Sequence, residues 1–550
     1  MTIQSPWPSL RPYPRVAAWE LLARAASRHP ERVALVDASG TVTTYAELLA
    51  GAFKAACFLQ RRANLRKGET VALVGKETRD TVALIHGILM VGGTLTTFND
   101  SMSSDEIAAR LADSEAAVVF APDPTRQRVD TLVTNDTLPG VRALFASEGL
   151  WETVQSESGT PEPVPIDPDV DVGALAYTSG TGGLPKGVVL THANLNAAAL
   201  QWWGAGVGGP DSTVLNLRVF WSTSRRLVAS GATSVVVSRL DPDEVLFLVE
   251  KYRVTQLLAR PHQLSQLAAQ QTRSRRDVSS LEYVESTSVR LPDAIARNVN
   301  KAFSCGVRQG YHLSEAHGSA NVTLPGERDW RTVGQPVPDT EERIVDPATG
   351  GDVPSGSEGE LLIRGPQVMR EYWRCPEATE SAFLPGGWLR TGDLARQDAD
   401  GKVYIVDRIK EVIRVYGLPV VPAQLEAILL DHPAVREAAV VPVPDRVSGE
   451  APKAFVVLEP GARATEGELL GLLRERLVHR KRLTEVEFVE SLPRNESGKL
   501  LRRELVERER ARRRGYRGFW RELRRASQPT SLRAAAAQVL RDVRRYLSLS

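Results

Sequence analysis

Short apolar runs alternate with amphipathic stretches along the first 340 residues. Ala17–Arg28 repeats apolar positions at helical spacing, and Val33–Val36 is an apolar run of strand length. Thr44-Tyr45-Ala46-Glu47-Leu48 predicts the opening of a helix with Thr44 as its capping hydroxyl. Glu69–Gly75 reads as a buried strand and Thr81–Gly92 as a helix ending in glycine. A helix over Asp105–Asp113 leads into a strand at Ala116–Phe120. The alternation resumes through Ser234–Val237, Asp243–Tyr252, Thr255–Leu258 and Leu281–Glu285. Strands separated by helical patterns predict parallel α/β layers.

From about residue 340 the pattern changes to shorter strands punctuated by turns: Glu342–Val345, Gly359–Arg364 and Lys402–Val406. These predict a β-rich subdomain over 340–406 that completes a large domain, 1–406. The turn at Asp407 marks a boundary. Beyond it, a helix at Ala423–Leu430, strands at Val435–Val443 and Lys453–Leu458, and a helix at Glu466–Leu477 predict a small α+β domain, 407–505. Residues 506–550 show no strand pattern. The expected fold is therefore α/β: layered sheets, a β-rich subdomain, a hinge and a small mobile C-terminal domain.

Composition narrows the class only a little. A chain of 550 residues, 42% hydrophobic and 25% charged, is too long for one core and ordinary for a soluble protein. No apolar run approaches the roughly 20 residues that span a bilayer. The Pro-rich start lacks a signal-type apolar stretch, so a cytoplasmic location is the default expectation. Cys57, Cys305 and Cys375 are far apart, without metal-ligand spacing, and read as reduced thiols. Residues 506–550 hold thirteen Arg and no Lys against four acidic residues, a balance of +9. Removing that from the overall +2 leaves −7 on the remaining chain.

In the tail, Leu532, Ala535, Ala536, Val539, Leu540, Val543 and Leu547 recur at helical spacing among arginines. Such a helix suits a protein partner or a membrane surface, and equally an extension folded back on the acidic body. No segment resembles a nucleic-acid reader, and a homo-oligomer stays open.

Candidate chemistry begins at Tyr177-Thr178-Ser179-Gly180-Thr181-Gly182-Gly183-Leu184-Pro185-Lys186-Gly187. An apolar strand runs into hydroxyl residues and glycines and ends at a lysine. Glycines let amides turn toward an oxyanion, hydroxyls add donors and the ammonium adds charge, so the loop suits phosphates. It is not a Walker loop, because Pro185 stands where that motif needs Gly before the Lys. A Gly/Ser/Thr cluster of this kind also reads as a solvated surface turn.

The residue order resembles the phosphate loop of the acyl-adenylate-forming superfamily, which includes acyl-CoA synthetases, aryl-CoA ligases, adenylation domains and luciferases. Further segments stand in that family's order. They are Gly310-Tyr311-His312-Leu313-Ser314-Glu315, Gly359 to Pro366, Trp388 to Asp393, Asp407-Arg408-Ile409-Lys410-Glu411 and Pro493 to Leu500. The resemblance implies an ATP-dependent ligase that activates a carboxylic acid as acyl-AMP and passes it to coenzyme A. Thr178, Ser179, Gly180, Thr181 and Lys186 would hold the β,γ-phosphates, with Glu315 and Thr181 on Mg²⁺. Tyr311 would stack on the purine beside Ser314, and Asp393 with Arg408 would hold the ribose. Lys499 would be the adenylating lysine, withdrawn as the small domain rotates about Asp407. An acceptor route would then form near Tyr416-Gly417-Leu418.

Several positions depart from the family pattern. Gly182 stands where Thr or Ser is usual, which predicts weaker positioning of ATP. Leu217-Arg218-Val219-Phe220-Trp221 replaces an LPLFH-like segment, with Trp221 at the His. The following helix is shorter by roughly one to two turns and carries Ser222-Thr223-Ser224-Arg225-Arg226-Leu227. Ser286 to Leu291 replaces GGAPL, and His312 replaces a Gly. Two other readings stay open beside the coenzyme A ligase. One is an adenylating enzyme that takes a small atypical acid such as nitrite, with an amine acceptor. The other is a nucleotide-binding pseudoenzyme acting through its basic tail.

Overall fold

The computed structural model describes residues 2–512 apart from 38, 101, 148, 179–184, 218–221, 238–240, 287–290, 416–417, 446–447, 477–482, 484 and 495–499. It divides into two compact units, one ending at Ile409 and one beginning at Lys410.

The larger unit is layered from three sheets. In a seven-stranded sheet, Thr70–Val74 pairs in parallel with Thr94–Phe98 and Ala116–Ala121, and Val172–Tyr177 extends the parallel set. In a nine-stranded sheet, Thr213–Asn216, Gln256–Ala259, Tyr283–Ser286 and Gly306–Leu313 lie parallel in succession. Thr70–Val74, Ala116–Ala121, Val172–Tyr177, Gln256–Ala259 and Tyr283–Ser286 lie within two residues of the strands expected from the apolar runs, whereas Thr94–Phe98, Thr213–Asn216 and Gly306–Leu313 are not among those expected. The third sheet, six-stranded and antiparallel, contains Glu341–Val345, Gly359–Arg364, Trp388–Gln397 and Val403–Arg408. It corresponds to the turn-punctuated segment.

Helix Tyr45–Arg61 shows how local sequence sets this frame. Thr44 Oγ1 accepts from the Glu47 amide at 3.2 Å, and Glu47 Oε2 accepts from the Thr44 amide at 2.8 Å. This reciprocal cap fixes the entry of the helix. Leu48, Ala52, Ala55 and Leu59 then fall on one face, buried against Arg79–Met90. Each leucine so buried contributes about 1.5–3 kcal/mol.

Asp407 and Arg408 lie inside the strand Val403–Arg408, opposite Leu394 and Asp393, and not in a turn, and the division between units falls after Ile409, two residues past the expected boundary at Asp407. The smaller unit is a five-stranded sheet dominated by the antiparallel pair Val435–Asp445 and Gly449–Leu458, with helices Pro422–Leu430 and Glu466–Arg476. At its centre Lys453 is fully buried and pairs with Glu485 at 2.9 Å, Glu487 at 2.6 Å and Glu509 at 2.8 Å. Glu509 belongs to the stretch the charge count assigned to the tail. Residues 502–512 continue as helix, and Arg508 and Arg512 also pair with Glu487 and Glu485. The small unit thus takes in the first turns of the basic segment, while the arginines beyond 512 lie outside the described residues. Among the described residues, no helix is long and apolar enough to cross a membrane, and all three cysteines are free.

Candidate active site

The phosphate-loop candidate springs from the antiparallel strands Val172–Tyr177 and Gly187–Thr191, with Tyr177 opposite Gly187. Just past that pairing, the Thr178 amide donates to the Lys186 carbonyl at 3.0 Å. The Lys186 amide donates to Thr178 Oγ1 at 3.3 Å. Thr178 and Lys186 are thereby held side by side. Ser179, Gly180 and Thr181 lie outside the described residues, as does the Gly182 substitution.

A two-residue edge strand, Glu371–Tyr372, pairs with Gly187–Thr191 and sets Tyr372 opposite Val188. The Lys186 ammonium lies 4.8 Å from the Tyr372 ring centre. The Tyr372 hydroxyl donates to Glu315 Oε1 at 2.7 Å. Burial and the adjacent Glu315 carboxylate push the Tyr372 phenol well above its ordinary range, so it stays a donor. Glu315 sits on a 3₁₀ turn, Ser314–Ala316, that follows the strand Gly306–Leu313. The Met369 amide donates to its backbone carbonyl at 2.7 Å. Ser314 opens the turn and accepts from the His317 amide at 3.0 Å. Lys186 and Glu315 therefore meet through Tyr372, which no sequence motif singled out. One hard carboxylate beside a phosphate-type loop fits Mg²⁺, an ion usually held by one or two carboxylates together with phosphates.

Tyr311 lies on the same strand as the Glu315 turn, and its buried hydroxyl donates to Asp393 Oδ2. Arg408 Nε pairs with Asp393 Oδ1 at 2.6 Å. The register accounts for this pair, since Asp393 and Arg408 are directly opposed across Trp388–Gln397 and Val403–Arg408. Burial and the Asp393 charge hold the Tyr311 phenol well above its usual range. Each carboxylate oxygen has two lone pairs, so Asp393 can accept further hydrogen bonds from a diol. Lys499 lies outside the described residues.

The segments that depart from the family's motif pattern form a third region. Helix Ser222–Ser230 is nine residues long. Its Arg225 and Arg226 are 1% and 4% exposed, although the polar run Ser-Thr-Ser-Arg-Arg reads as a surface. Arg225 Nη2 donates to the Leu195 carbonyl at 2.9 Å and lies 3.4 Å from His317 Nε2. Arg226 Nη1 donates to the His317 carbonyl at 3.0 Å, and its guanidinium stacks 4.0 Å from the Trp202 ring centre. Gly318 makes this approach feasible: at φ +134°, any Cβ there would sit 1.9 Å from Arg226 Nη1.

Ser224 donates to Glu77 Oε2 at 2.8 Å, and burial pushes the Glu77 carboxyl up to about 7. Three buried imidazoles complete the region. Burial, then the charge of Arg225, pulls His86 down to about 3 and keeps His317 well below its ordinary value. Burial also pulls His192 down to about 4. His312, at the position of the expected Gly, shares a hydrogen bond with Ser319 Oγ at 2.7 Å, 4.0 Å from Glu285 Oε1. Trp221 lies outside the described residues.

Comparison with known proteins fits this arrangement. Residues 22–373 match the profile of the AMP-binding enzyme family, and residues 424–499 match the AMP-binding enzyme C-terminal domain. A probable CoA ligase of Humulus lupulus is 33% identical over 87% of this chain and 90% of its own. A long-chain-fatty-acid–CoA ligase of Bacillus subtilis is 30% identical, over 92% and 99%. The crystal structure of ATP-bound MatB from Rhodopseudomonas palustris superposes with a TM-score of 0.82 at 27% identity, covering 89% of this chain and 98% of that one. With two domain profiles, a shared fold and identity across most of its length, the chain belongs to the AMP-binding enzyme family, within the acyl-adenylate-forming superfamily that its motifs resemble.

Proposed function

We propose that the protein joins a carboxylic acid to coenzyme A in two steps, through an acyl-adenylate made from ATP. The observation that carries this reading is the convergence of separate motifs into two adjacent groups, Lys186–Tyr372–Glu315 and Tyr311–Asp393–Arg408. The first group has the charge and donors for a triphosphate. The second offers an aromatic face and a carboxylate braced by a guanidinium, suited to a purine nucleoside.

In the first step a carboxylate oxygen attacks the α-phosphorus of ATP, and the bond to the bridging oxygen breaks to release pyrophosphate. Thr178, Ser179, Gly180, Thr181 and Lys186 neutralise the β,γ-phosphates as they leave. Glu315 and Thr181 would hold Mg²⁺, which when bound offsets phosphate charge. Tyr311 and Ser314 orient the base, while Asp393 and Arg408 orient the ribose. Lys499 stabilises charge between acid and α-phosphate. In the second step the thiol of coenzyme A attacks the acyl carbon and AMP leaves. The acceptor rests on the curated relatives, which are named CoA ligases.

Acid-dependent exchange of pyrophosphate into ATP tests the first step. Exchange is expected with at least one acid, and Lys499→Ala should reduce it by about 100-fold or more while the protein stays folded. Absence of exchange with short, long and aryl acids and nitrite would overturn the reading. Consumption of coenzyme A, against that of an aryl amine, then identifies the acceptor.

A further inference from the structure

Arg225 carries a charge that the described residues leave unanswered. Its guanidinium is buried between helices His192–Gly204 and Arg79–Met90 and the turn after Glu315, where it meets a backbone carbonyl and the His317 imidazole, with the neutral His86 and His192 near enough to feel its charge. No carboxylate pairs with it, and its Nε and Nη1 groups have no hydrogen-bond partner among the described residues. The nearby Glu77 carboxyl is engaged by Ser224 and is influenced by Arg226. A lone buried guanidinium is costly, and such groups are normally paired or hydrogen-bonded throughout. The second cation, Arg226, is anchored to the His317 carbonyl, and His317 closes the turn that presents Glu315. The region therefore adjoins the candidate catalytic carboxylate. It belongs to the segment in which this chain departs from its relatives.

We propose that Arg225 is the receptor of an internal anion site, and that the acid activated by this protein brings a small oxyanion to it. Charge selects an anion, and burial at 1% exposure selects a small one. The neutral His317 imidazole, 3.4 Å from Nη2, adds no competing charge. Two sources share this chemistry: the second carboxylate of a short dicarboxylic acid, or a free oxyanion the size of acetate or nitrite that is itself the acid. A long apolar monoacid does not satisfy Arg225. The inference rests on the adenylation reading only for the claim that the bound anion is the substrate.

The experiment has a binding arm and a turnover arm, both on the full chain. Melting of the wild type, Arg225→Met and Arg225→Lys is followed with sodium malonate, succinate, acetate or nitrite against chloride at constant ionic strength. At least one oxyanion should raise the wild-type melting temperature by about 3 °C or more, and Arg225→Met should lose that shift. Arg225→Lys, which keeps the charge, should retain part of it and serves alone should the methionine variant fail to fold.

In the pyrophosphate-exchange arm, a short dicarboxylate should outperform its monomethyl ester if the site takes a second carboxylate. Acetate or nitrite should suffice if the oxyanion is the whole acid. In either case Arg225→Met should raise KM for the acid about tenfold or more and leave KM for ATP within about twofold. Equal stabilisation of wild type and Arg225→Met, an unchanged KM for the acid, or a preference for long apolar monoacids overturns the anion site. An Arg225-dependent melting shift without exchange leaves the anion site standing and removes the adenylation reading. Exchange without any dependence on Arg225 does the reverse.

Discussion

Lys453 in the small unit and Arg225 in the large one are both shut away from water, but their surroundings differ. Lys453 is met by Glu485, Glu487 and Glu509, and Arg225 by carbonyl oxygen and neutral imidazole. Burial alone would lower the Lys453 pKa, but the hydrogen bonds it donates to Glu487, Glu509 and Glu485 outweigh it and the value is raised. Nothing offsets burial at Arg225, and its value falls to about 10. Folding completes the first cation. The second is left with donors to spare, as a binding group would be.

The largest effect should come from breaking the completed cation. Lys453→Met removes the buried cation shared by Glu509, Glu485 and Glu487 and leaves them only the half-exposed Arg508 and Arg512, which should cost about 3 kcal/mol of stability. Denaturant unfolding of the full chain measures it, and a loss below about 1 kcal/mol would show that the carboxylates do not depend on the lysine.

A pH test counts the charge around Arg225. His86 titrates near 3 when folded and near 6.5 when free, so the unfolded chain takes up a proton that the native state refuses. Its contribution to stability is therefore lost as pH falls from 6.5 toward 3. His86→Leu lacks this penalty and should gain about 2 kcal/mol on the wild type between pH 7.5 and pH 5.0. An unchanged difference between those pH values would mean that the imidazole is already charged beside Arg225.

Removing the unanswered cation should do least harm to the fold. Arg225→Met in an oxyanion-free buffer should unfold within about 1 kcal/mol of the wild type or above it. A loss of about 3 kcal/mol would mark Arg225 as a completed structural group like Lys453. A comparably small effect is expected at Tyr372. Tyr372→Phe removes one hydrogen bond to Glu315, so stability should fall by about 0.5–1.5 kcal/mol. Pyrophosphate exchange should then need more Mg²⁺ for half-maximal rate, and an unchanged Mg²⁺ requirement would detach Tyr372 from Glu315 function.

The parallel layers were legible because buried strands concentrate apolar residues, as Thr70–Val74 and Ala116–Ala121 do, and because caps such as Thr44 are local. The Asp393–Arg408 pair was legible through motif order, and cross-strand register then set the two side chains opposite one another. Tyr372 was not legible, since a two-residue edge strand has no periodicity to reveal which way its side chain turns. An aromatic pair, Tyr372-Trp373, shortly after Gly365-Pro366 was the available signal. The burial of Arg225 and Arg226 was hidden for a different reason. A polar, basic helix turn is ordinarily solvated, whereas here remote segments receive it, with the Leu195 and His317 carbonyls and the Trp202 ring holding the two guanidinium groups. His86 itself stands within Thr-Val-Ala-Leu-Ile-His-Gly-Ile-Leu-Met, where it reads as an ordinary core histidine.

The approach of Arg226 to Gly318 has a consequence for other sequences. Because a side chain at 318 would occupy the space of Nη1, this placement of Arg226 goes with a glycine at 318. A larger residue at 318 would have to displace the guanidinium from its present place over the Trp202 ring. The two letters together form a searchable fingerprint for this buried arginine in other sequences.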